Sequence, residues 1–179
     1  MPKDEQARIK ALYKYNILDT PPDGSLDKMT RLAAKIFNVP IAIITLVDTD
    51  RVWFKSKHGV EISQIGKDPG LCASAILSDD LYIVEDARTD PRTLTNPLVA
   101  GDFGLQFYAA APLQTLDGHN LGTFCLLDQQ KRFFNSEQQE SLKLFADVVM
   151  EQLELRLIAH NTLNELQQKV ANYERSTAA

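Results

Sequence analysis

The two cysteines are the residues of this 179-residue chain best suited to covalent chemistry. Cys72 stands at the start of a predicted short helix, where backbone amide groups lower the pKa of a thiol. Cys125 lies on a predicted strand two elements away. The alternative for Cys72 is a structural role, since most free cysteines behave as small buried apolar side chains. Two cysteines are too few for a disulfide framework, so we expect reduced thiols and a cytoplasmic location.

A charged segment, residues 85–96, holds the second set of chemically useful side chains. It contains Asp86, Asp90 and Asn96, interleaved with arginines. In one interpretation these side chains line the mouth of a pocket and orient a polar ligand. In the other they are solvated or bond to their own backbone. The three histidines lie far apart in the predicted topology and share no ligand spacing with the cysteines, so no metal site is predicted.

The elements that must position these residues form an α+β pattern. We predict, in chain order, helix 4–15, helix 26–37, strands 41–47 and 51–58, a short helix after Gly70, strand 81–84, strands 107–113 and 121–127, and a final helix from Ser136. Ser25 or Asp27 is expected to cap the second helix, and Ser136 the last. Segments 59–70 and 87–106 read as irregular, the latter with room for one helical turn. Strand pairs separated by short turns favour a mainly antiparallel sheet.

The final helix carries the longest periodic pattern in the chain. A three-four spacing typical of a coiled coil links Leu142, Phe145, Val149, Gln152, Arg156, Ala159, Leu163, Leu166, Val170 and Tyr173. We expect its later part to pair with a second copy of the chain, while residues 136–155 pack either on that copy or on their own domain. The polar pair Gln152 and Arg156 would weaken the seam and permit two registers. We therefore divide the chain into a sensor domain, 1–158, and a continuous helical extension, 159–179.

Composition excludes several classes of function. The net charge is −5, with both signs interspersed, which gives no electrostatic footprint for nucleic acid or an anionic membrane. The longest apolar stretch, 39–47, is far shorter than the roughly 20 residues of a membrane-spanning helix. We therefore expect neither nucleic-acid binding nor membrane insertion.

Five motifs in this order resemble those of bacterial GAF domains, over roughly residues 8–158. They are YNILDTPP at 15–22, VPIA at 39–42, DRVWFKS at 50–56, FYAAAPL at 107–113 and LGTFCLLD at 121–128. The resemblance is to GAF domains that precede diguanylate cyclases or the histidine kinases of two-component systems. It implies an antiparallel sheet of five or six strands, with the terminal helices on one face. On the other face it implies a small-molecule pocket covered by residues 60–106.

This resemblance implies a cytoplasmic, non-catalytic sensor that passes a signal through a homodimeric helix to a histidine kinase or diguanylate cyclase effector, in the same chain or a partner. Its dimer and signalling residues would be Val149, Gln152, Arg156, Leu163, Leu166 and Val170. No cofactor is assigned beyond an unidentified small molecule. The candidate ligand-binding residues are Trp53, Cys72, Ser74, Asp86, Asp90, Asn96, Phe107, Tyr108 and Thr123.

Alternatives within the same resemblance remain open. Cys72 resembles one cysteine of free methionine sulfoxide reductases, yet segment 87–106 has no cysteine to resolve its oxidised form, which disfavours reductase activity. A covalent bilin is disfavoured because neither cysteine is followed by histidine. The Asn-Lys…Phe…Asp-Glu signature of cyclic-nucleotide binders is missing. A third alternative is a ligand-free dimerisation scaffold, in which bulky side chains fill the space beside Ala109, Ala110 and Ala111.

Overall fold

Six antiparallel strands form one sheet at the centre of the molecule. The structure, a computed structural model, describes residues 4–177. The strands are β1 (Ile41–Val47), β2 (Arg51–His58), β3 (Gln64–Gly66), β4 (Tyr82–Val84), β5 (Phe107–Gln114) and β6 (Asn120–Asp128), and they lie in the order β3-β2-β1-β6-β5-β4. The helices are α1 (Glu5–Lys14), α2 (Gly24–Ile36), α3 (Leu71–Ala75), α4 (Pro97–Ala100) and α5 (Ser136–Thr177). The predicted α+β class and strand number are confirmed.

The sheet separates two apolar layers because successive side chains of a strand point to opposite faces. Along β1, Ala42, Ile44 and Leu46 face the layer formed with α1, α2 and α5. Ile41 and Ile43 face the other layer, which is covered by α3 and the crossover segments. All of β1 is buried, as its almost wholly β-branched and apolar sequence predicts. A ligand enclosed by this fold therefore has two faces available, and helices fill one of them.

Two helix caps differ from the sequence expectation. The Asp23 side chain caps α2 by accepting hydrogen bonds from the backbone amides of Ser25 and Leu26, so the predicted capping by Ser25 or Asp27 is wrong. In the first turn of α5, the backbone amide of Gln138 donates a hydrogen bond of 2.9 Å to the side chain of Asn135, which takes the place predicted for Ser136. Aspartate and asparagine suit these positions because their side chains are short, and a side-chain oxygen can accept a hydrogen bond from the otherwise unpaired backbone amides of the first helical turn.

Helix α1 is fixed to the sheet by a buried arginine that its apolar pattern did not predict. Arg8 is 3% exposed and donates a hydrogen bond of 2.7 Å to the carbonyl oxygen of Val47. Its guanidinium also pairs with Glu5 at 2.7 Å, and Lys67 approaches the same carboxylate at 2.8 Å. Burying a charge is favourable only with such partners. This network joins the first helix to β1 and to the segment after β3.

The first half of α5 packs on its own domain, which resolves the alternative left open by the sequence. Leu142, Ala146, Val149 and Leu153 are buried in the helix-side layer. Val149 thus belongs to the domain core and is not free to form the predicted dimer seam. Beyond the sheet the helix continues unbroken to Thr177, and Leu163, Leu166 and Val170 are 52–58% exposed.

Candidate functional site

A small apolar cavity lies between the sheet and its crossover segments, on the face that the helices leave open. Its volume is about 100 Å³. The floor comes from the three central strands: Ile43 and Thr45 of β1, Cys125 and Leu127 of β6, and Tyr108 of β5. These residues are mostly two apart along their strands, so their side chains share one face. Two predicted site residues thus meet at one cavity, Tyr108 from the sheet and Cys72 from α3 above it.

The cavity cover comes from irregular segments and two short helices. Leu71 and Cys72 of α3 close one side, and Leu98 of α4 closes another. Ile62 also lines the cavity while remaining 55% exposed, so only one layer of side chains separates the cavity from solvent there. The predicted cover, residues 60–106, includes all four of these positions.

Two predicted ligand-binding aromatics lie on the opposite face of the sheet. Trp53 and Phe107 belong to the helix-side layer, and the Phe107 ring packs in a tilted arrangement on Phe134, just before α5, with ring centroids 5.5 Å apart. Their neighbours Phe54 and Tyr108 take the cavity side instead. Strand alternation is the reason, because a shift of one residue reverses the face.

The two cysteines meet at the cavity, although the sequence placed them in separate elements. Cys72 and Cys125 are 7% and 1% exposed, and both side chains line this cavity. The Tyr108 hydroxyl donates a hydrogen bond to Cys72 Sγ at 3.2 Å. This contact was missed because α3 covers β5 and β6 from a distant point of the chain. No spacing in the sequence signals it.

Hydrogen bonding makes Cys72 the more acidic of the two thiols. The bond from Cys125, supported by those from Tyr108 and Thr123, lowers the pKa of Cys72 against the effect of burial. The same thiol-thiol contact, together with burial, raises the pKa of Cys125 well above its usual value. Burial, followed by the charge of a Cys72 thiolate, raises the pKa of Tyr108. The arrangement therefore favours Cys72 over Cys125 as the thiol that loses its proton first.

Thr123, another predicted site residue, forms a buried hydroxyl pair beside the thiols. Its Oγ1 lies 2.8 Å from Oγ1 of Thr45, and its backbone amide donates to the same Thr45 oxygen at 3.2 Å. Thr45 lines the cavity directly. The pair places two buried hydroxyl groups beside the floor, and of the two residues only Thr45 lines the cavity.

The charged segment and Ser74 hold the cavity cover in place and do not line the cavity. Asp90 binds Arg92, whose guanidinium stacks over Tyr82 and donates to the carbonyl oxygen of Ile83 at 2.7 Å. Asp86 accepts from the backbone amide of Arg88 at 3.2 Å. The bond of Asp86 and the Asp90–Arg92 pair lie within the segment, as in the second interpretation, whereas the contacts of Arg92 with Tyr82 and Ile83 reach outside it.

Asn96 and Ser74 open instead onto an outer cleft of about 490 Å³, shared with Lys67 and Arg92. Asn96 caps α4 through the amide of Leu98 and donates to the carbonyl oxygen of Pro69 at 3.1 Å. The Ser74 hydroxyl donates to Gly70 within α3. Asn96 thereby ties α4 to the turn before α3, and both helices border the cavity.

The described part of the chain holds no group of three or more His, Cys, Asp or Glu side chains placed to bind a metal ion. Among residues 4–177, no helix combines the length and the apolar character that a membrane span requires.

The architecture and a family model agree on the class of protein. The model of the GAF domain matches residues 21–153, which include the whole sheet, the cavity and the sheet-packed part of α5. The chain belongs to the GAF family. Within this GAF domain the cavity lies on the face that the resemblance assigned to the ligand pocket.

Similar proteins place this GAF domain among signalling proteins. Over 150 residues it is 36% identical to a cyclic di-GMP phosphodiesterase of Pseudomonas aeruginosa. The match covers 83% of this chain but 26% of that protein, so the chain spans about a quarter of the length of this curated relative.

Solved structures show the same fold at low identity. The GAF domain of a phosphoenolpyruvate-protein phosphotransferase from Acinetobacter is 16% identical, with a TM-score of 0.58 and coverage of 92% of this chain and 99% of that one. The free methionine-R-sulfoxide reductase of Neisseria meningitidis, solved with its substrate, is 17% identical, with a TM-score of 0.63 and coverage of 89% and 96%. These likenesses establish the fold alone.

Proposed function

We propose that this GAF domain is a non-catalytic regulatory module that senses a small, largely apolar molecule in its cavity and relays the signal through a dimeric α5. The observation that carries the proposal is the position of β6 between the cavity and α5. Cys125 and Leu127 face the cavity, whereas Phe124 and Leu126 face the helices. Phe124 contacts Phe145 of α5 at a ring distance of 5.3 Å. A displacement of β6 on one side must therefore change the packing on the other.

Helix α5 offers a route out of the domain. Its exposed apolar side chains lie on the side away from the buried residues Leu142, Ala146 and Leu153. They are Leu144, Val148, Leu155, Ile158, Leu163, Leu166 and Val170. A stripe of this length favours a second, identical helix as its partner. The homodimer of the proposal uses this stripe, and Val149 is left in the core.

The polar pair predicted in the seam lies where the helix leaves the sheet. Arg156 pairs with Asp23, the cap of α2, and Gln152 is half-buried. Nearby, the Tyr15 hydroxyl donates to Glu154 at 2.5 Å. These contacts join the helical extension to the first two helices. In the proposal, the Asp23–Arg156 pair holds one arrangement of α5, and a ligand acts by binding unequally to two arrangements.

The proposed effector is a further domain, of the kind found in a longer relative of this chain. Because the curated relative is a phosphodiesterase of which this chain matches about a quarter, we propose an effector domain of the phosphodiesterase, diguanylate cyclase or histidine kinase class, in the same chain or a partner. The sensor then corresponds to residues 1–158 and the signalling helix to 159–179, whose last two residues lie outside the described part of the chain. A cytoplasmic location stays a prediction from the two free thiols.

Native and denaturing mass spectra of the purified chain test ligand binding. We expect an extra mass in the native spectrum that is lost on denaturation. Leu98→Trp, which fills the cavity from its cover, should abolish the extra mass. Leu94→Trp is the matched control, because Leu94 is 50% exposed on the same connection and does not line the cavity. A bare wild-type mass, or an extra mass retained equally by both variants, would refute a ligand in this cavity.

One observation favours the scaffold as a second candidate function. The cavity volume of about 100 Å³ is well below the roughly 300–1,000 Å³ of typical small-molecule sites. Ala110 lies on the cavity side, and the larger side chains around it occupy most of the space. A bare wild-type mass together with an intact dimer would support this alternative.

A further inference from the structure

Both thiols of this chain border a single cavity. Cys72 comes from α3 and Cys125 from the middle of β6, where it pairs in register with Ile43 and Ala110. Both cysteines are buried, and the Tyr108 hydroxyl donates a hydrogen bond to Cys72 Sγ at 3.2 Å. The two cysteine side chains are not needed to hold the sheet, because its strands are paired through their backbones.

We propose that Cys72 and Cys125 form a reversible dithiol–disulfide pair that reacts with small hydroperoxides, of which hydrogen peroxide is the simplest. This reaction is independent of ligand sensing, because it requires only the two thiols and access for hydrogen peroxide. It differs from methionine sulfoxide reduction in its substrate and in using Cys125 as the second thiol.

The surroundings of the pair assign a role to each sulfur. Cys72 receives the Tyr108 hydroxyl hydrogen bond at 3.2 Å, which stabilises a thiolate. The thiolate is the nucleophile toward peroxide. Cys125 keeps its proton, since the neighbouring thiolate and its own burial both disfavour a second negative charge. Cys72 is therefore the attacking sulfur and Cys125 the resolving one.

The reaction balances with hydrogen peroxide as the only oxidant. The Cys72 thiolate attacks one peroxide oxygen, the O–O bond breaks, and the leaving hydroxide takes a proton to become water. Cys72 is then a sulfenic acid. Cys125 sulfur attacks the Cys72 sulfur, the S–O bond breaks, and the departing hydroxide leaves as water with the Cys125 proton. Two thiols have lost two electrons and one peroxide has become two water molecules. An external thiol reverses the change by two exchange steps.

Cavity size sets the selectivity. With about 100 Å³ of space behind the half-exposed Ile62, hydrogen peroxide can reach the sulfurs. A bulky aromatic hydroperoxide, such as cumene hydroperoxide, does not fit beside the side chains that already line the cavity. The pair should therefore distinguish the two oxidants by size, whereas an exposed thiol would not.

The test treats the reduced chain with hydrogen peroxide, denatures it, alkylates free thiols with N-ethylmaleimide and records intact and peptide masses. We expect two alkylation sites to disappear, the chain to lose two hydrogens, and peptides containing Cys72 and Cys125 to be linked. Dithiothreitol should restore both sites. In Cys125→Ser, dimedone should trap a sulfenic acid on Cys72, and in Cys72→Ser no dimedone adduct should form. Cumene hydroperoxide should react at least tenfold more slowly than hydrogen peroxide.

A conservative variant separates chemistry from folding. Tyr108→Phe removes one hydrogen bond to a charged sulfur, so peroxide oxidation should slow about tenfold. Tyr82→Phe is the matched control, since Tyr82 touches the Tyr108 ring edge-on at 6.0 Å, and its rate should be unchanged. Circular dichroism confirms that both variants fold. Full alkylation after peroxide, linkage only between chains, or equal rates for Tyr108→Phe and Tyr82→Phe would each overturn the proposal.

Discussion

Replacing Leu166 by alanine tests the dimeric role of α5 most directly. Leu166 is 52% exposed and lies beyond the part of the helix that packs on the sheet. Its loss therefore leaves the domain core unchanged. If the exposed stripe pairs with a second copy, Leu166 is buried only in the dimer, and its replacement should weaken association without lowering the stability of the domain.

The magnitude follows from the exposed fraction. Full burial of a leucine side chain stabilises by about 2 kcal/mol, of which about half remains available at this position. The dimer carries the substitution twice, so its association free energy should fall by about 2 kcal/mol. That corresponds to a roughly 30-fold higher dissociation constant.

Sedimentation equilibrium over a range of protein concentrations measures this constant for each variant. Gln168→Ala is the control, because two helical positions turn its side chain by about 200° to the opposite side of the helix. We expect its effect to be less than twofold. A wild-type chain that stays monomeric at all concentrations, or equal weakening by both substitutions, would refute pairing through this stripe.

Three further predictions concern the contacts that hold α1, α2 and β6. The hydrogen bond from Arg8 lowers the pKa of Glu5 from 4.5 to about 2. Its contribution is therefore complete above pH 4.5 and is lost as the pH falls toward 2. Because Glu5 is partly exposed, Glu5→Gln should lower the free energy of unfolding in urea by about 1 kcal/mol at pH 7, and by much less at pH 3; equal losses would contradict this. Asp23→Ala removes a helix cap and should cost about 1 kcal/mol, whereas Arg156→Ala removes only a partly exposed ion pair and should cost less than about 0.5 kcal/mol; equal costs would show that the cap is unimportant. Gly122→Ala would place a Cβ 1.8 Å from a backbone oxygen of β1 and should cost about 3 kcal/mol or more, while Gly24→Ala, with open space around it, should leave the melting temperature within a few degrees; similar melting temperatures would refute the close strand approach.

The strands could be predicted because their local signals agree with their final environment. The β-branched run 41–47 has the composition of a central strand, and the Asp117-Gly118 turn joins the pair that became β5 and β6. Gly118 has a φ of 82°, which glycine adopts without strain. The three-residue strand β3 was missed, since its pairing with β2 rests on backbone bonds that polar residues also make.

The site was harder to predict because its composition is decided by tertiary packing. Alternation along β5 separates Phe107 from Tyr108, but the sequence does not say which face will be covered by helices. The same limit applies to α5, where a three-four spacing is satisfied equally well by a sheet or by a second helix. Val149 packs on the domain core beside the sheet, whereas Leu166 remains exposed.

Ligand binding and thiol oxidation would act on the same strand. A molecule in the cavity presses on the Cys125 face of β6, and a disulfide would tie that face to α3. Since β6 presents Phe124 to α5, either event changes the surface on which the helix rests. Protein interiors are close-packed, so a strand cannot shift by a methyl group without its neighbours rearranging. In the proposed mechanism both inputs therefore converge on one output, because the helix would respond to the position of β6 and not to the chemistry that moved it.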